Sequence, residues 1–134
     1  MYVLDTNTLI YFFKGEGGVS SRMLATPPAS IGVPTLVVYE LETGIAKSTD
    51  PAKRRAQLDS LLRVVQVLPF GLAEAKVAAG LRADLEARGA PIGPIDTLVA
   101  GLALHQRAVL VTRNVREFRR VPDLRVESWY VEGR

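Results

Sequence analysis

The stretches MYVLDTNTLIYF at residues 1–12 and PIGPIDTLVAGLALHQRAVLVTRNVREF at residues 91–118 decide the fold of this chain. Each holds one carboxylate in apolar surroundings: Asp5 ends the run Tyr2-Val3-Leu4, and Asp96 lies in a segment with helical apolar periodicity. Burying an ionised carboxylate alone is costly, so such a group is usually paired, protonated or bound to a metal. Two such acids predict a divalent-cation site.

Length and composition limit the class of protein. The chain has 134 residues, of which 48% are hydrophobic, so we expect a single domain over residues 1–134 with an ample core. The lack of cysteine excludes a disulfide framework, a thiolate zinc site and a cysteine nucleophile. The strand-like start argues against a signal peptide, and no run approaches the roughly 20 apolar residues of a membrane span. We therefore expect a soluble, cytoplasmic protein that does not enter a membrane.

The charge balance is mildly basic. Seventeen basic and 14 acidic residues give a net charge of +3, which is compatible with a polyanionic partner but does not identify one. Arg greatly outnumbers Lys. Arg suits bidentate phosphate recognition, although a GC-rich genome would produce the same bias.

Short apolar runs alternate with helical patterns along the chain. Strands are predicted at 3–4, 29–33, 64–68, 109–111 and 125–128. The first helix is predicted to follow Thr6 or Asn7 as its cap and to run through Phe13. Further helices are predicted at 19–26, from Pro34, from Pro51, at 73–88, at about 94–105 and near 115–118. This order is typical of an α/β protein, a three-layer α/β/α sandwich with a central parallel sheet of four or five short strands.

Both acids are expected near one edge of that sheet, because sites in such sheets lie outside the carboxyl ends of the strands. Asp5 directly follows the first strand, and residues 112–114 follow the strand 109–111. Asp96 falls in the first turn of a helix that Pro94 begins, where the helix dipole favours a carboxylate. Alternatively, Asp96 is only a helix-capping residue and Asp5 only a turn-forming acid. Their occurrence together favours the functional interpretation.

A third acid is expected from the helix that begins near Pro34. It offers Glu40 and Glu42, which flank the apolar face on either side, so periodicity does not choose between them. Gly44, one turn beyond Glu40, leaves room for close approach by another element and favours Glu40. Either residue could instead be an ordinary solvated position.

The motifs LDTNTLI at 4–10, YELETG at 39–44 and IGPIDTLVAGLAL, LVTRN and EF across 92–118 resemble the PIN-domain nucleases. The chain looks most like the toxin half of type II VapBC toxin–antitoxin pairs. Each motif alone is weak, but they occur in the family's order across essentially the whole chain. The resemblance implies a catalytic set of Asp5, Glu40, Asp96 and Asn114, metal ligands Asp5, Glu40 and Asp96, and supporting residues Thr6, Asn7 and Thr112.

Asn114 departs from the family pattern, since many relatives have Asp there. An amide can ligate through its oxygen or hold a water, but it adds no negative charge, so one or two bound metal ions remain possible. Glu117 could supplement the cluster, although we expect it to be a surface charge.

Carboxylate and amide oxygens select Mg²⁺ or Mn²⁺ rather than Zn²⁺. We therefore expect an endoribonuclease that hydrolyses RNA phosphodiester bonds with metal-activated water. His105, the only histidine, lies three turns along the helix from Asp96 and is too far away to act as the base. The resemblance also implies a structured substrate such as tRNA or rRNA, a small cognate antitoxin and a homodimer.

Basic and aromatic residues offer candidate contacts with RNA. Arg113, Arg116 and Arg120 are spaced to share one helix face and could hold backbone phosphates, or could form a solvated basic face. The run Tyr11-Phe12-Phe13 could stack on bases or line a groove for a partner, but packing in the core is favoured.

Two other classes of function compete with the nuclease. A non-catalytic RNA-binding or interaction domain could keep the fold without the chemistry. A haloacid-dehalogenase-like phosphatase would use Asp5 as a nucleophile directly after the first strand. That nucleophile loop normally has a second acid two residues on, where this chain has Asn7, and its later lysine has no clear counterpart here.

Overall fold

Five strands and seven α-helices form residues 1–133, the part of the chain that this computed structural model describes. The strands are β1 (Tyr2–Leu4), β2 (Ile31–Pro34), β3 (Gln66–Leu68), β4 (Val109–Val111) and β5 (Arg125–Glu127). The helices are α1 (Thr6–Lys14), α2 (Val19–Ala25), α3 (Thr35–Ala46), α4 (Pro51–Leu62), α5 (Leu72–Ala87), α6 (Pro94–His105) and α7 (Val115–Phe118). Within residues 1–133, none of the helices combines the length and the apolar character needed to cross a membrane.

The strands form one parallel sheet in the order β3-β2-β1-β4-β5, with β1 at its centre. Val3 pairs with Gly32 on one side and with Leu110 on the other. Because crossovers between parallel strands are right-handed, connections that run toward β3 and those that run toward β5 lie on opposite faces. Helices α1–α4 therefore cover one face and α5–α7 the other, which confirms the predicted sandwich and its upper number of strands.

The core lies on both faces of the central strands. Val3 and Leu4 of β1 and Leu110 and Val111 of β4 are fully buried, as expected for parallel strands covered by helices on each side. On the face of the sheet that α5–α7 cover, α5 and α6 pack closely together. A Cβ at Gly101 of α6 would lie 2.7 Å from the Ala78 Cβ of α5, so only glycine permits this approach.

Two predicted strand boundaries are wrong by two residues. The strand predicted at 29–33 begins at Ile31, because Pro28–Ser30 form a 3-10 turn after Pro27. The strand predicted at 64–68 begins at Gln66, because the backbone of Val64 still bonds to Leu61 and closes α4. In both places a turn at the end of one element extends into the apolar run of the next.

Candidate active site

The carboxyl ends of β1 and β4 form the centre of the candidate site. These neighbouring strands flank the point where the strand order reverses, which is where open parallel sheets place their sites. The Asp5 backbone N–H donates to the Val111 carbonyl at 3.1 Å, so the residues that follow the two strands are held side by side. Thr112 follows β4 directly and is fully buried.

Asp5 has a structural contact as well as a place in the candidate site. Its Oδ1 accepts a hydrogen bond from the Thr8 backbone N–H at 2.9 Å, so Asp5 caps α1, and the prediction that Thr6 or Asn7 does so is wrong. Burial raises the pKa of the Asp5 carboxyl, and the nearby charge of Glu40 raises it further. Hydrogen bonds from Thr112 and Thr8 act in the opposite direction. The Asp5 carboxylate is therefore fixed in orientation, while burial and the charge of Glu40 disfavour its ionised form.

Glu40, and not Glu42, faces this carboxylate from α3. The Thr6 hydroxyl donates to Glu40 Oε1 at 2.6 Å across a separation of 34 residues. Glu42 forms an exposed ion pair with Arg55, with 3.3 Å between Arg55 Nη2 and Glu42 Oε2. The close approach expected at Gly44 is absent from residues 1–133, since a Cβ there would meet no atom within 4 Å. The choice of Glu40 therefore rests on Thr6 rather than on Gly44.

Asp96 adds a third carboxylate from the opposite face of the sheet. It lies half-buried in the first turn of α6, whose N-cap is Gly93 and not Asp96. Burial is the largest cause that raises the pKa of Asp96, to about 6, followed by the charges of Glu117, Asp5 and Glu40. Among residues 1–133, no hydrogen bond opposes this shift in the pKa of Asp96. The carboxylates thus repel one another across the end of the sheet.

Glu117, which we expected to be a surface charge, is half-buried and hydrogen-bonded beside this cluster. Its two carboxylate oxygens accept hydrogen bonds from the Asn114 side-chain amide and, at 3.4 Å, from the Gly93 backbone N–H. The charge of Glu117 is also the largest electrostatic influence on Asp96. The three-residue spacing from Asn114 was the available sequence signal, because it becomes one turn of the short helix α7.

The supporting residues are brought to the site unequally. Thr112 accepts a hydrogen bond from the Asn114 backbone N–H at 3.0 Å and also bonds to Asp5. Asn7 is exposed in the first turn of α1. Thr8, which the sequence analysis did not select, is buried and donates from its hydroxyl to the Val111 carbonyl at 3.2 Å, so it ties α1 to β4.

The predicted arginine face is not formed. Helix α7 covers only residues 115–118, so Arg116 is on it while Arg113 precedes it and Arg120 follows it. Arg120 donates to the Pro91 carbonyl at 3.0 Å, whereas Arg113 contacts Glu132 and two tyrosines. Spacing at three and four residues requires a helix of at least two turns, and this segment has about one.

Aromatic residues of α1 do pack against the core, as the sequence favours. Tyr11, Phe12 and Phe13 are all half-buried beside it, and the Phe12 and Phe13 rings lie 5.5 Å apart. Tyr11 also contacts Tyr130, with ring centroids 4.7 Å apart.

Known proteins resemble this chain in sequence and in structure. Residues 2–124 match the PIN domain family. The chain is 31% identical over 128 residues to the tRNA(fMet)-specific endonuclease VapC of Salmonella typhimurium, covering 96% of this chain and 97% of that protein. It is also 31% identical over 131 residues to Ribonuclease VapC2 of Rickettsia felis, with 96% and 98% covered.

Solved structures agree with these relatives. DNA-bound VapBC from Salmonella typhimurium superposes with a TM-score of 0.89 at 32% identity, over 96% of this chain and 97% of that one. VapBC2 from Rickettsia felis, bound to a DNA fragment of its promoter, gives 0.88 at 31% identity, over 96% and 98%. The resemblance seen in the motifs is confirmed, and the chain belongs to the PIN-domain family and, within it, to the VapC ribonucleases.

Proposed function

We propose that the chain is a metal-dependent endoribonuclease, acting as one domain over residues 1–134, and the toxin of a toxin–antitoxin pair. One observation carries the proposal: Asp5, which follows β1, Glu40 of α3 and Asp96 of α6 lie near enough to one another for their negative charges to raise the pKa of Asp5 and of Asp96. None of the ion pairs among residues 1–133 involves these acids or Glu117. A cation is the simplest partner for such a cluster.

The donor set fits a hard divalent cation. All the side chains offer oxygen, which suits Mg²⁺ or Mn²⁺. Within the described residues, no three acidic or histidine side chains already enclose a position for a metal ion. Mg²⁺ commonly keeps several waters and takes only one or two carboxylates directly, so it does not require three side chains in direct contact. Asp5, Glu40 and Asp96 would hold the ion, some of them through water.

Each residue has a distinct task in the proposed reaction. The ion that Asp5, Glu40 and Asp96 would hold, Mg²⁺ or Mn²⁺, would polarise the phosphodiester and lower the pKa of the attacking water. Thr8 and Thr112 orient Asp5, and Thr6 orients Glu40, so these carboxylates need little rearrangement when substrate arrives.

Asn114 completes the set from the other side of the edge. Its amide nitrogen donates to Glu117, so the side-chain oxygen is the group left to accept a hydrogen bond or ligate. Glu117 thereby positions Asn114 and adds negative charge beside Asp96.

The relatives and the solved complexes support the proposed partners. One relative is described as a tRNA(fMet)-specific endonuclease, and several structures contain VapBC complexes. We infer that this chain cuts a structured RNA such as tRNA or rRNA, binds a small cognate antitoxin and forms a homodimer.

The test is cleavage of total cellular RNA by the purified chain with Mg²⁺ or Mn²⁺, read by mapping new 5′ ends. Discrete ends that vanish with EDTA and with Asp5→Asn are expected. The substitutions Glu40→Gln and Glu42→Gln form a matched pair, because each removes one negative charge from the same helix. Glu40→Gln should abolish cleavage, whereas Glu42→Gln should leave it intact.

Folded, antitoxin-free protein that cuts no RNA with either metal would overturn the nuclease and favour the RNA-binding alternative. Equal loss in the two variants would show that Glu40 has no special role.

A further inference from the structure

Residues 128–132, here called the C-terminal clasp, follow β5 and contact the turn after α1. Trp129 is buried, and the Val131 backbone N–H donates to the Gly17 carbonyl at 2.7 Å. Gly17 has a φ of +66°, and a Cβ there would lie 2.2 Å from the Tyr130 ring. The clasp is therefore anchored at a position that only glycine can occupy without displacing it.

Two residues of the clasp, Tyr130 and Glu132, contact the guanidinium of Arg113. The Arg113 Cζ lies 3.7 Å from the Tyr130 ring centroid and 5.5 Å from the Tyr11 ring centroid. Glu132 accepts two hydrogen bonds, from Nε at 3.1 Å and from Nη2 at 3.0 Å. The remaining nitrogen, Nη1, donates to the Tyr11 hydroxyl at 3.4 Å. The aromatic rings hold the flat group while a carboxylate occupies its hydrogen-bonding edge.

Arg113 lies between two residues of the candidate site. Thr112 bonds to Asp5 on one side, and Asn114 bonds to Glu117 on the other. A phosphodiester held at the acidic edge would need a cation close by, because the cluster itself repels phosphate. Arg113 is the basic residue that stands between Thr112 and Asn114 in the sequence, directly after β4.

The Glu132 carboxylate presents to Arg113 the same paired oxygens that a phosphate would present. The pair is exposed, with 39% of the Arg113 side chain and 74% of the Glu132 side chain accessible. An exposed ion pair of this kind is weak and readily exchanged. The Tyr130 ring contacts the face of the guanidinium, and the Tyr11 hydroxyl accepts from Nη1. Neither contact uses the Nε and Nη2 groups that bind Glu132, so both remain when the carboxylate leaves.

We propose that Glu132 holds the phosphate-binding edge of Arg113 when RNA is absent, and that a backbone phosphate of the substrate displaces it. Tyr130 is the positioning residue that keeps Arg113 in place during this exchange. This inference rests on the proposed function, since it takes RNA as the ligand.

The experiment measures binding of a short fluorescein-labelled single-stranded RNA to the full chain by anisotropy, in EDTA so that no cleavage occurs. Glu132→Gln removes the competing charge and should tighten binding by roughly threefold to tenfold. The slope of log affinity against log salt should steepen by about one, because one more phosphate contact is available.

Glu86→Gln is the matched control. Glu86 is half of another surface pair, 2.8 Å from Arg82 on α5, so its substitution changes the net charge equally but far from the clasp. It should change affinity by less than about twofold. Both glutamates are substantially exposed, so neither change should alter thermal unfolding.

Repeating the Glu132→Gln substitution in the Arg113→Gln variant distinguishes competition for Arg113 from a general effect of net charge on RNA binding. In Arg113→Gln, the further change Glu132→Gln should give no gain, because the group it releases is gone. A gain that persists in this background overturns the proposal, and so does equal behaviour of Glu132→Gln and Glu86→Gln. Weaker binding by Glu132→Gln also overturns it, since Glu132 would then assist Arg113. Because binding is measured without metal, failure of the nuclease test leaves these outcomes readable.

Discussion

Asp5 and Asp96 lie at the same edge of the sheet but are held in opposite ways. Asp5 is buried, caps α1 through Thr8 and has hydrogen bonds that offset part of its desolvation. Asp96 is half-buried, and burial together with neighbouring charges raises its pKa without an opposing hydrogen bond. The Asp5 carboxylate thus stabilises the fold as well as belonging to the candidate site. The Asp96 carboxylate destabilises the fold, and its place in the candidate site accounts for its presence. Stability and activity should therefore separate at Asp96 and not at Asp5.

The largest effect that sharpens this contrast is expected from Asp96→Asn. Loss of the carboxylate should reduce RNA cleavage by about a hundredfold or more, because charge stabilisation in the reaction is lost. The same change relieves repulsion from Glu117, Asp5 and Glu40, so the melting temperature should rise by about 2–3 °C. The cleavage rate tests the expected loss of activity, and thermal unfolding of the metal-free protein tests the expected rise in melting temperature. A lower melting temperature would contradict the assignment of strain to Asp96.

The next effect compares two substitutions at Asp5. Asp5→Asn keeps an oxygen that can accept from the Thr8 backbone N–H, whereas Asp5→Ala removes the cap of α1. Both should be inactive. Asp5→Ala should be less stable than Asp5→Asn by about 1 kcal/mol, or about 4 °C in melting temperature. Calorimetry of both proteins measures the difference, and equal melting temperatures would break the claim that Asp5 supports the fold.

The smallest expected effect is a dependence on pH of the stabilisation that Asp96→Asn produces. A carboxyl whose pKa rises from 3.8 to about 6 on folding binds its proton more tightly in the folded state. The stability that this proton contributes is fully present below 3.8 and is lost as the pH rises through about 6. The stabilisation by Asp96→Asn should therefore be small below 3.8 and reach its full value above 6. Above pH 6, added Mg²⁺ should reduce the stabilisation by Asp96→Asn. The cation offsets the repulsion in the unmodified chain, whereas the variant no longer has that repulsion.

Thermal melts of the two proteins across this range test that dependence. A melting-temperature difference that stays constant with pH would show that Asp96 does not titrate differently in the folded state.

The parts of the molecule that short stretches determine could be read from the sequence. Apolar runs between turn residues predicted all five strands, and the position of Asp5 directly after one of them predicted its place at the edge. Capping and 3-10 geometry were less accessible, because Pro28–Ser30 form a turn inside a run that is apolar enough for a strand.

The parts that distant contacts determine could not be read in this way. Glu40 and Glu42 are equivalent by periodicity, and the difference comes from Thr6, 34 residues away. The partner of Arg113 lies 19 residues further along and also depends on Tyr11, 102 residues earlier. Family resemblance supplied Glu40 where physical pattern alone did not, but it carried no information on the clasp.

The central place of β1 has a consequence for how the protein is made. The first strand to leave the ribosome needs β4, more than a hundred residues later, as its neighbour in the sheet. The Thr8 hydroxyl and the Val111 carbonyl, 103 residues apart, likewise meet only then. Pairing over such a separation must wait for the later segment to be synthesised. A growing chain therefore cannot assemble its acidic edge until the segment that contains β4 has been synthesised.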